Sequence, residues 1–281
     1  MKAILIGTDL TVRCDRALER AMALAKQHDS QLYVMSVVDE KLPENEAIDR
    51  RAEAERKLET HIAELKGGGG PTVTVEVTIG TPGSDLVAWA EQTHAELIVL
   101  GVRDPANESF FRGTTCDQII RHGNAPVLVV RDRVSPRYEK VMVAVDFSVH
   151  SRRAIQFTLD LAPEAEIYLV HAYQVPFEGF IHGGSARQEV SSREIQQMQK
   201  MVEEEMAHSL AALKGDTSRL HQVLRHGDVR KVIRQEVESL KPDLLALGTH
   251  GRTGIAHAFL GSVAEDVLRN PPCDALAVKA W

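Results

Sequence analysis

Leu244-Leu245-Ala246-Leu247-Gly248-Thr249-His250-Gly251 decides how this chain is read, together with Gly261-Ser262 after nine intervening residues. The apolar run sits behind the turn signal Lys241-Pro242-Asp243. A short run of that kind, bounded by turn residues and glycine, predicts a buried strand. The glycines at its end predict a strand-to-loop junction where backbone comes close to another group. Beyond Ser262, Val263-Ala264-Glu265-Asp266-Val267-Leu268 begins an amphipathic helix. Ser262 with Glu265 three residues on fits a capping box, so Ser262 is expected to open and cap that helix. Strand, glycine loop, glycine and helix N-terminus together make a seat for an anion, because unpaired N–H groups and the helix dipole both favour negative charge.

Each part also has a purely structural reading. Gly248 and Gly251 serve equally as shapers of a tight turn, and Ser262 serves equally as a cap. The full spacing, Gly-x2-Gly-x9-Gly-Ser, is far more specific than any part of it. It resembles, without a gap, the nucleotide-binding signature of the universal stress protein family. In that family the loop and the following helix start hold the ribose and phosphates of ATP. The resemblance therefore implies Gly248, His250, Gly251, Gly261, Ser262 and Val263 as nucleotide contacts, with Mg²⁺ bridging the phosphates.

Composition bounds the alternatives. A chain of 281 residues exceeds one average domain and suggests two. A net charge of −7 argues against nucleic acid as the main partner. No apolar run approaches the ~20 residues of a membrane span. Met1 to Asp9 is broken by its aspartate too early for a signal peptide and reads as a first strand. Cys14, Cys116 and Cys273 are odd in number and far apart, so free thiols in a reducing cytoplasm are expected.

Working outward, strand and helix signals alternate from residue 1 to about 131. Apolar runs at Ala3–Ile6, Leu32–Val38, Thr72–Ile79, Leu97–Gly101 and Pro126–Val130 read as strands. Between them lie a helix carrying Leu18, Met22 and Ala25 on one face, a charged helix from about Ile48 to Leu65, and helices through Leu86 and Ile119. Such alternation predicts α/β architecture with a parallel, doubly wound sheet. Arg131 to Glu139 is polar, contains Pro136 and reads as a linker. The pattern then restarts. Val141–Asp146 echoes Ala3–Asp9, Ile167–Ala172 echoes Leu32–Val37, Leu244–Gly248 echoes Leu97–Gly101, and Ala275–Lys279 echoes Pro126–Val130. This is an internal duplication. Asp9 and Asp146 are 137 residues apart and Gly101 and Gly248 are 147 apart, so the second half has gained about ten residues, placed near Pro176 to Val190. That stretch reads as a lid, a contact surface or a disordered insertion.

The resemblance covers nearly the whole length as two tandem units, assigned to residues 1–134 and 138–281. It implies two doubly wound five-stranded parallel sheets, Rossmann-like and similar to the adenine nucleotide α-hydrolase fold. It also implies that they pack as an intramolecular pseudo-dimer through their last strands, with a homodimer left open. In an open parallel sheet a ligand sits beyond the carboxyl ends of the strands, where strand order switches. Asp146 belongs there, either accepting hydrogen bonds from sugar hydroxyls or an adenine amine, or capping the helix that follows. Ala172 falls where the family's backbone holds adenine. His250 is placed to touch phosphate, or equally to hydrogen-bond within its loop.

The first half keeps Asp9, Gly101 and Gly113-Thr114, but Asp104 stands where the second glycine belongs. A carboxylate near a phosphate adds like-charge repulsion, so this site is expected to be degenerate, with Arg103 and Arg112 leaving room for some other anion. No Walker-type phosphate loop, dinucleotide glycine motif or zinc-finger spacing is present. With twelve histidines in the chain, His250 with His257, or His221 with His226, could meet in space and hold an adventitious metal. No nucleophile elbow or acid/base carboxylate pair is evident. The reading is a cytoplasmic nucleotide-dependent sensor or regulator of the stress response. A weak ATPase or self-phosphorylating protein, with Ser262 or Thr249 as acceptor, and a partner-binding protein with empty sites are the alternatives.

Overall fold

The computed structural model describes residues 1–67, 69–102, 115–131, 135–174, 192–213, 216–251 and 260–280. The expectations about Arg103, Asp104, Arg112, Gly113-Thr114, His257 and the insertion near Pro176 to Val190 fall outside them.

In the first half β1 (Ala3–Gly7), β2 (Gln31–Asp39), β3 (Val73–Gly80), β4 (Leu97–Gly101) and β5 (Val127–Val130) alternate with α1 (Val12–His28), α2 (Glu44–Lys66), α3 (Pro82–Gln92) and α4 (Thr115–His122). The second half repeats the order. Its strands are β6 (Lys140–Ala144), β7 (Glu166–Tyr173), β8 (Leu220–His226), β9 (Leu244–Gly248) and β10 (Asp274–Val278). Its helices are α5 (Val149–Leu161), α6 (Ser192–Ala211), α7 (Val229–Leu240) and α8 (Ser262–Arg269). The central strands are apolar on both faces because helices cover both, and β1 and β10 are buried at every residue. The charged helix begins earlier than periodicity suggested. Pro43 sits at its N-cap, with Glu44 and Glu46 in the first turn beside the positive end of the dipole.

Among the described residues the ten strands form one sheet in the order β3-β2-β1-β4-β5-β10-β9-β6-β7-β8. Every pairing is parallel except the central one. There β5 and β10 run antiparallel with Leu128 opposite Leu276, so each half covers the other's closing edge. One apolar core lies on each face and runs across both halves. Helices α1, α2, α5 and α6 build the first, around Leu18, Leu58, Ile155 and Met206. Helices α3, α4, α7 and α8 build the second, around Leu86, Ile119, Ile233 and Val267. On the first face the ends of α1 and α5 meet, where Gln27 donates to the Leu161 carbonyl at 3.1 Å.

The expected polar linker is in part a structural plug. Tyr138 is buried and donates its hydroxyl to Asp274 Oδ2 at 2.7 Å. The Arg20 guanidinium lies 4.1 Å from the Tyr138 ring centroid and 3.3 Å from the same carboxylate. The Arg131 N–H donates to Asp274 Oδ1, and Arg20 donates to the Ser135 carbonyl. A buried charge is tolerated only when paired and hydrogen-bonded, and here α1, the connecting segment and the start of β10 supply the partners together.

Candidate functional site

Strand order within the second half switches between β6 and β9, since β6 pairs β7 on one side and β9 on the other. The crevice beyond their carboxyl ends receives Asp146 from the first and Gly248 to Gly251 from the second, as the topology rule requires. Asp146 lies two residues past the end of β6 rather than on it. Its Oδ1 accepts the Ser148 N–H at 3.0 Å, which folds an Asx turn. The helix cap is Ser148 itself, whose hydroxyl accepts from the Ser151 N–H at 3.1 Å. Asp146 therefore shapes the turn with one oxygen and presents the other to the loop. A Cβ added at Gly251 would lie 2.9 Å from Asp146 Oδ2. Between them Phe147 takes the left-handed conformation at φ 63°, and Leu10 does the same at φ 62° in the first half. That conformation is strained for a bulky side chain and is held only where its surroundings over-determine it.

The three glycines do different jobs. Gly248 makes room for α5, because an added Cβ would stand 2.7 Å from His150 Cβ and 2.9 Å from the Ser151 nitrogen. Gly251 is exposed and faces Asp146. Gly261 closes the base of the loop, donating its N–H to the Thr249 carbonyl at 2.8 Å. That bond also corrects the expected capping box. Gly261 is the N-cap of α8 with no side-chain cap bond, and Ser262 is the first helical residue. Glu265 turns to Arg269 at 2.9 Å instead of reaching back. The loop closure fixes where the helix starts, with a glycine at the N-cap that offers no side-chain acceptor, Ser262 exposed and Val263 half-buried. An anion on those N–H groups gains the helix-terminus interaction, about 0.3–1 kcal/mol where exposed, plus charge-assisted hydrogen bonds.

His250 Nδ1 lies 2.9 Å from the buried Thr249 hydroxyl. Its ring stands 5.0 Å, centroid to centroid, from that of His150 on α5. Burial, then the neighbouring His250, pushes the His150 pKa below its ordinary value, with Asp146 opposing. His150 Nδ1 accepts the Ala280 N–H at 2.8 Å, which requires that nitrogen to be unprotonated. Ala172 is half-buried on β7, whose pairing with β6 ends at Val170 while its pairing with β8 continues to Tyr173. Its edge toward β6 thus overhangs the crevice. Beside it, His171 donates from Nδ1 to the Val145 carbonyl at 2.7 Å, and its ring packs on Phe147.

The structure brings Asp146, Gly248, His250, Gly251, Gly261, Ser262 and Val263 together around one crevice, with Ala172 on the neighbouring strand. Sequence reading missed His150, and it offered Asp146 rather than Ser148 as the cap of α5. The Ser148-x-x-Ser151 spacing after an aspartate was a usable sign of the cap. Nothing local marked His150. The pair His221 and His226 does not converge: five positions apart on β8, they face opposite sides of the sheet, stacked on Tyr168 and Tyr173. Among the described residues no group of three metal-ligating side chains occurs.

The first half repeats the turn but uses its aspartate differently. Asp9 Oδ1 accepts both the Thr11 N–H at 3.0 Å and the Thr11 hydroxyl at 2.6 Å. Burial opposes ionisation there, yet hydrogen bonds from Cys14 and Thr11 hold the Asp9 carboxyl below its ordinary pKa. Burial in turn pushes the Cys14 thiol up to about 11.

A family model described as the universal stress protein family matches residues 1–131 and 137–279. Universal stress protein MJ0531 of Methanocaldococcus jannaschii is 33% identical over 147 residues, spanning 50% of this chain and 82% of that one. Universal stress protein E of Escherichia coli is 27% identical over 182 residues, spanning 57% of this chain and about half of that one, 53%. In three dimensions the crystal structure of a universal stress protein from Archaeoglobus fulgidus aligns over 99% of this chain and 98% of its own at a TM-score of 0.70 and 18% identity. Among the described residues no helix is long and apolar enough to cross a membrane.

Proposed function

This chain belongs to the universal stress protein family, and from that premise we propose that its second unit, residues 138–281, binds ATP or a related adenine nucleotide and acts as a nucleotide-dependent regulator. The observation that carries the reading is the first turn of α8. It has no side-chain cap, lies at the switch point of the sheet, and is entered through a bare Gly261 opposite Gly251 and Asp146. Phosphates would take the N–H groups of Ser262 and Val263 and the backbone around His250 and Gly251. Asp146 Oδ2 would take a ribose hydroxyl or the adenine amine, and the overhanging edge of Ala172 the base. Gly248 contributes by letting α5 approach, which holds the loop in place. Mg²⁺ would ride on the phosphates, since no ready set of protein ligands occurs among the described residues.

One nucleotide per chain is the expected stoichiometry. The first unit carries Asp104 in place of the second glycine, and its Asp9 already serves Thr11 and Cys14. Like charges about 4 Å apart cost roughly 4 kcal/mol at an effective dielectric near 20, about a thousandfold in affinity. Titration calorimetry with ATP and Mg²⁺ should give a value near one, abolished by Gly261→Glu and untouched by Gly113→Glu. Gly251→Asp, which sets a second carboxylate against Asp146, should weaken binding by at least ~2 kcal/mol, about thirtyfold. A value near two, or unchanged affinity in a folded Gly251→Asp protein, would overturn the assignment.

A further inference from the structure

His150 occupies a joint that nucleotide binding alone does not need. It sits in the first turn of α5, pressed against Gly248 so closely that a Cβ there would reach its own Cβ at 2.7 Å. Its ring lies 5.0 Å from that of His250 in the glycine loop. Its Nδ1 accepts the N–H of Ala280 at 2.8 Å, two residues past the end of β10. The adjoining Lys279 reaches across to the first half, where its Nζ donates to the Arg121 carbonyl of α4 at 3.0 Å. A second tie anchors the same helix start to the loop, since the Ser148 hydroxyl donates to the His250 carbonyl at 3.3 Å. One imidazole thus touches the loop on one side and holds the chain leaving the junction strand on the other.

We propose that His150 is a relay that couples the state of the glycine loop to the segment after β10, where that segment grips the first half. Nucleotide control of the relay rests on the binding function proposed above; the coupling between loop and tail does not. A ligand that draws His250 toward its phosphates moves the surface on which the His150 ring rests. Because close-packed neighbours shift in discrete steps rather than bend freely, a displaced ring changes its hydrogen bond to Ala280. The neutral state favoured by burial and by His250 keeps Nδ1 an acceptor, so the bond is in place before any ligand arrives. His150 is a positioning residue here, acting through His250 and Ala280.

The full-length protein tests this by amide exchange at Ala280, read by NMR, in wild type and in the variants His250→Ala, His150→Ala, His150→Asn and the double variant His150→Ala/His250→Ala. Removing the His250 ring should change Ala280 protection at least threefold in the wild-type background and leave it unchanged in the His150→Ala background. His150→Asn, whose side-chain oxygen stands near the Nδ1 position, should retain protection that His150→Ala loses. At Mg²⁺–ATP concentrations that saturate each protein by calorimetry, Ala280 protection should change in wild type and not in His150→Ala. Equal effects of His250→Ala in both backgrounds, or none in either, would overturn the relay. If Mg²⁺–ATP binds neither protein, the nucleotide assignment falls, while the variant cycle still decides whether loop and tail are coupled.

Discussion

Replacing Asp274 by asparagine removes a charge from a buried polar cluster that joins the halves. Arg20 and Asp274 are 3% and 1% exposed, so neither charge has water to fall back on. Among the described residues the carboxylate accepts from the Tyr138 hydroxyl on Oδ2 at 2.7 Å and from the Arg131 N–H on Oδ1 at 2.8 Å. Asparagine keeps one acceptor and turns an N–H₂ group toward the other donor, while Arg20 is left with the Ser135 carbonyl and the Tyr138 ring. Breaking a buried pair from one side costs about 3–5 kcal/mol, the unmatched donor included. At roughly 2–4 °C per kcal/mol for a chain of this size, the melting point should fall by about 10 °C. Urea denaturation of wild type, Arg20→Met, Asp274→Asn and the double variant gives the coupling directly. The double variant should recover at least ~1 kcal/mol relative to the sum of the singles, because neither charge is then stranded. Additivity within about 0.5 kcal/mol would show that the cluster does not act as a unit, and the reasoning would fail.

The same cluster should set an alkaline limit. Burial, then the adjacent Asp274 charge, pushes the Tyr138 phenol well above its ordinary value, with Arg20 opposing. The folded chain therefore keeps a proton that the unfolded chain loses above about pH 10, and stability should decline as pH rises past that point. Urea midpoints at pH 8 and pH 11 should differ less in Tyr138→Phe than in wild type; equal pH slopes would refute it. Gly248→Ala should destabilise by about 1–3 kcal/mol, because its Cβ would meet the backbone of α5 at 2.8–2.9 Å and backbone cannot step aside. An unchanged melting temperature in thermal denaturation would return Gly248 to the role of a simple turn residue. Residues 138–281 expressed alone should dimerise or aggregate through the uncovered edge of β10, and a soluble monomer at tens of micromolar in sedimentation would contradict that.

Much of this was legible in the chain itself, for stateable reasons. Strands such as Leu97–Gly101 and Leu244–Gly248 announce themselves because a parallel sheet covered on both faces demands unbroken apolar runs. The duplication was legible because the turn after the first strand of each half uses the same chemistry, Asp9 with Thr11 and Asp146 with Ser148. What local pattern could not carry was tertiary. Ser262 and Glu265 spelled a capping box, but the bond from Gly261 to Thr249 sets the helix start one residue away. Tyr138 lay in a polar stretch, and its burial depends on a partner 136 positions along the chain. His150 carries no local mark at all, because its place is made by Gly248, His250 and Ala280, which only the fold brings around it.

The antiparallel meeting of β5 and β10 has a further consequence, for dose rather than for shape. Two separate chains joined along such an edge would part on dilution, and the fraction paired would track how much protein a cell makes. Here the two edges belong to one chain, with only nine residues, 131–139, between β5 and β6, so their encounter is first order and their local concentration is fixed by a short tether. The surroundings of the second half are therefore the same at the first molecule synthesised as at the thousandth. The first half thereby supplies the edge that the second half requires.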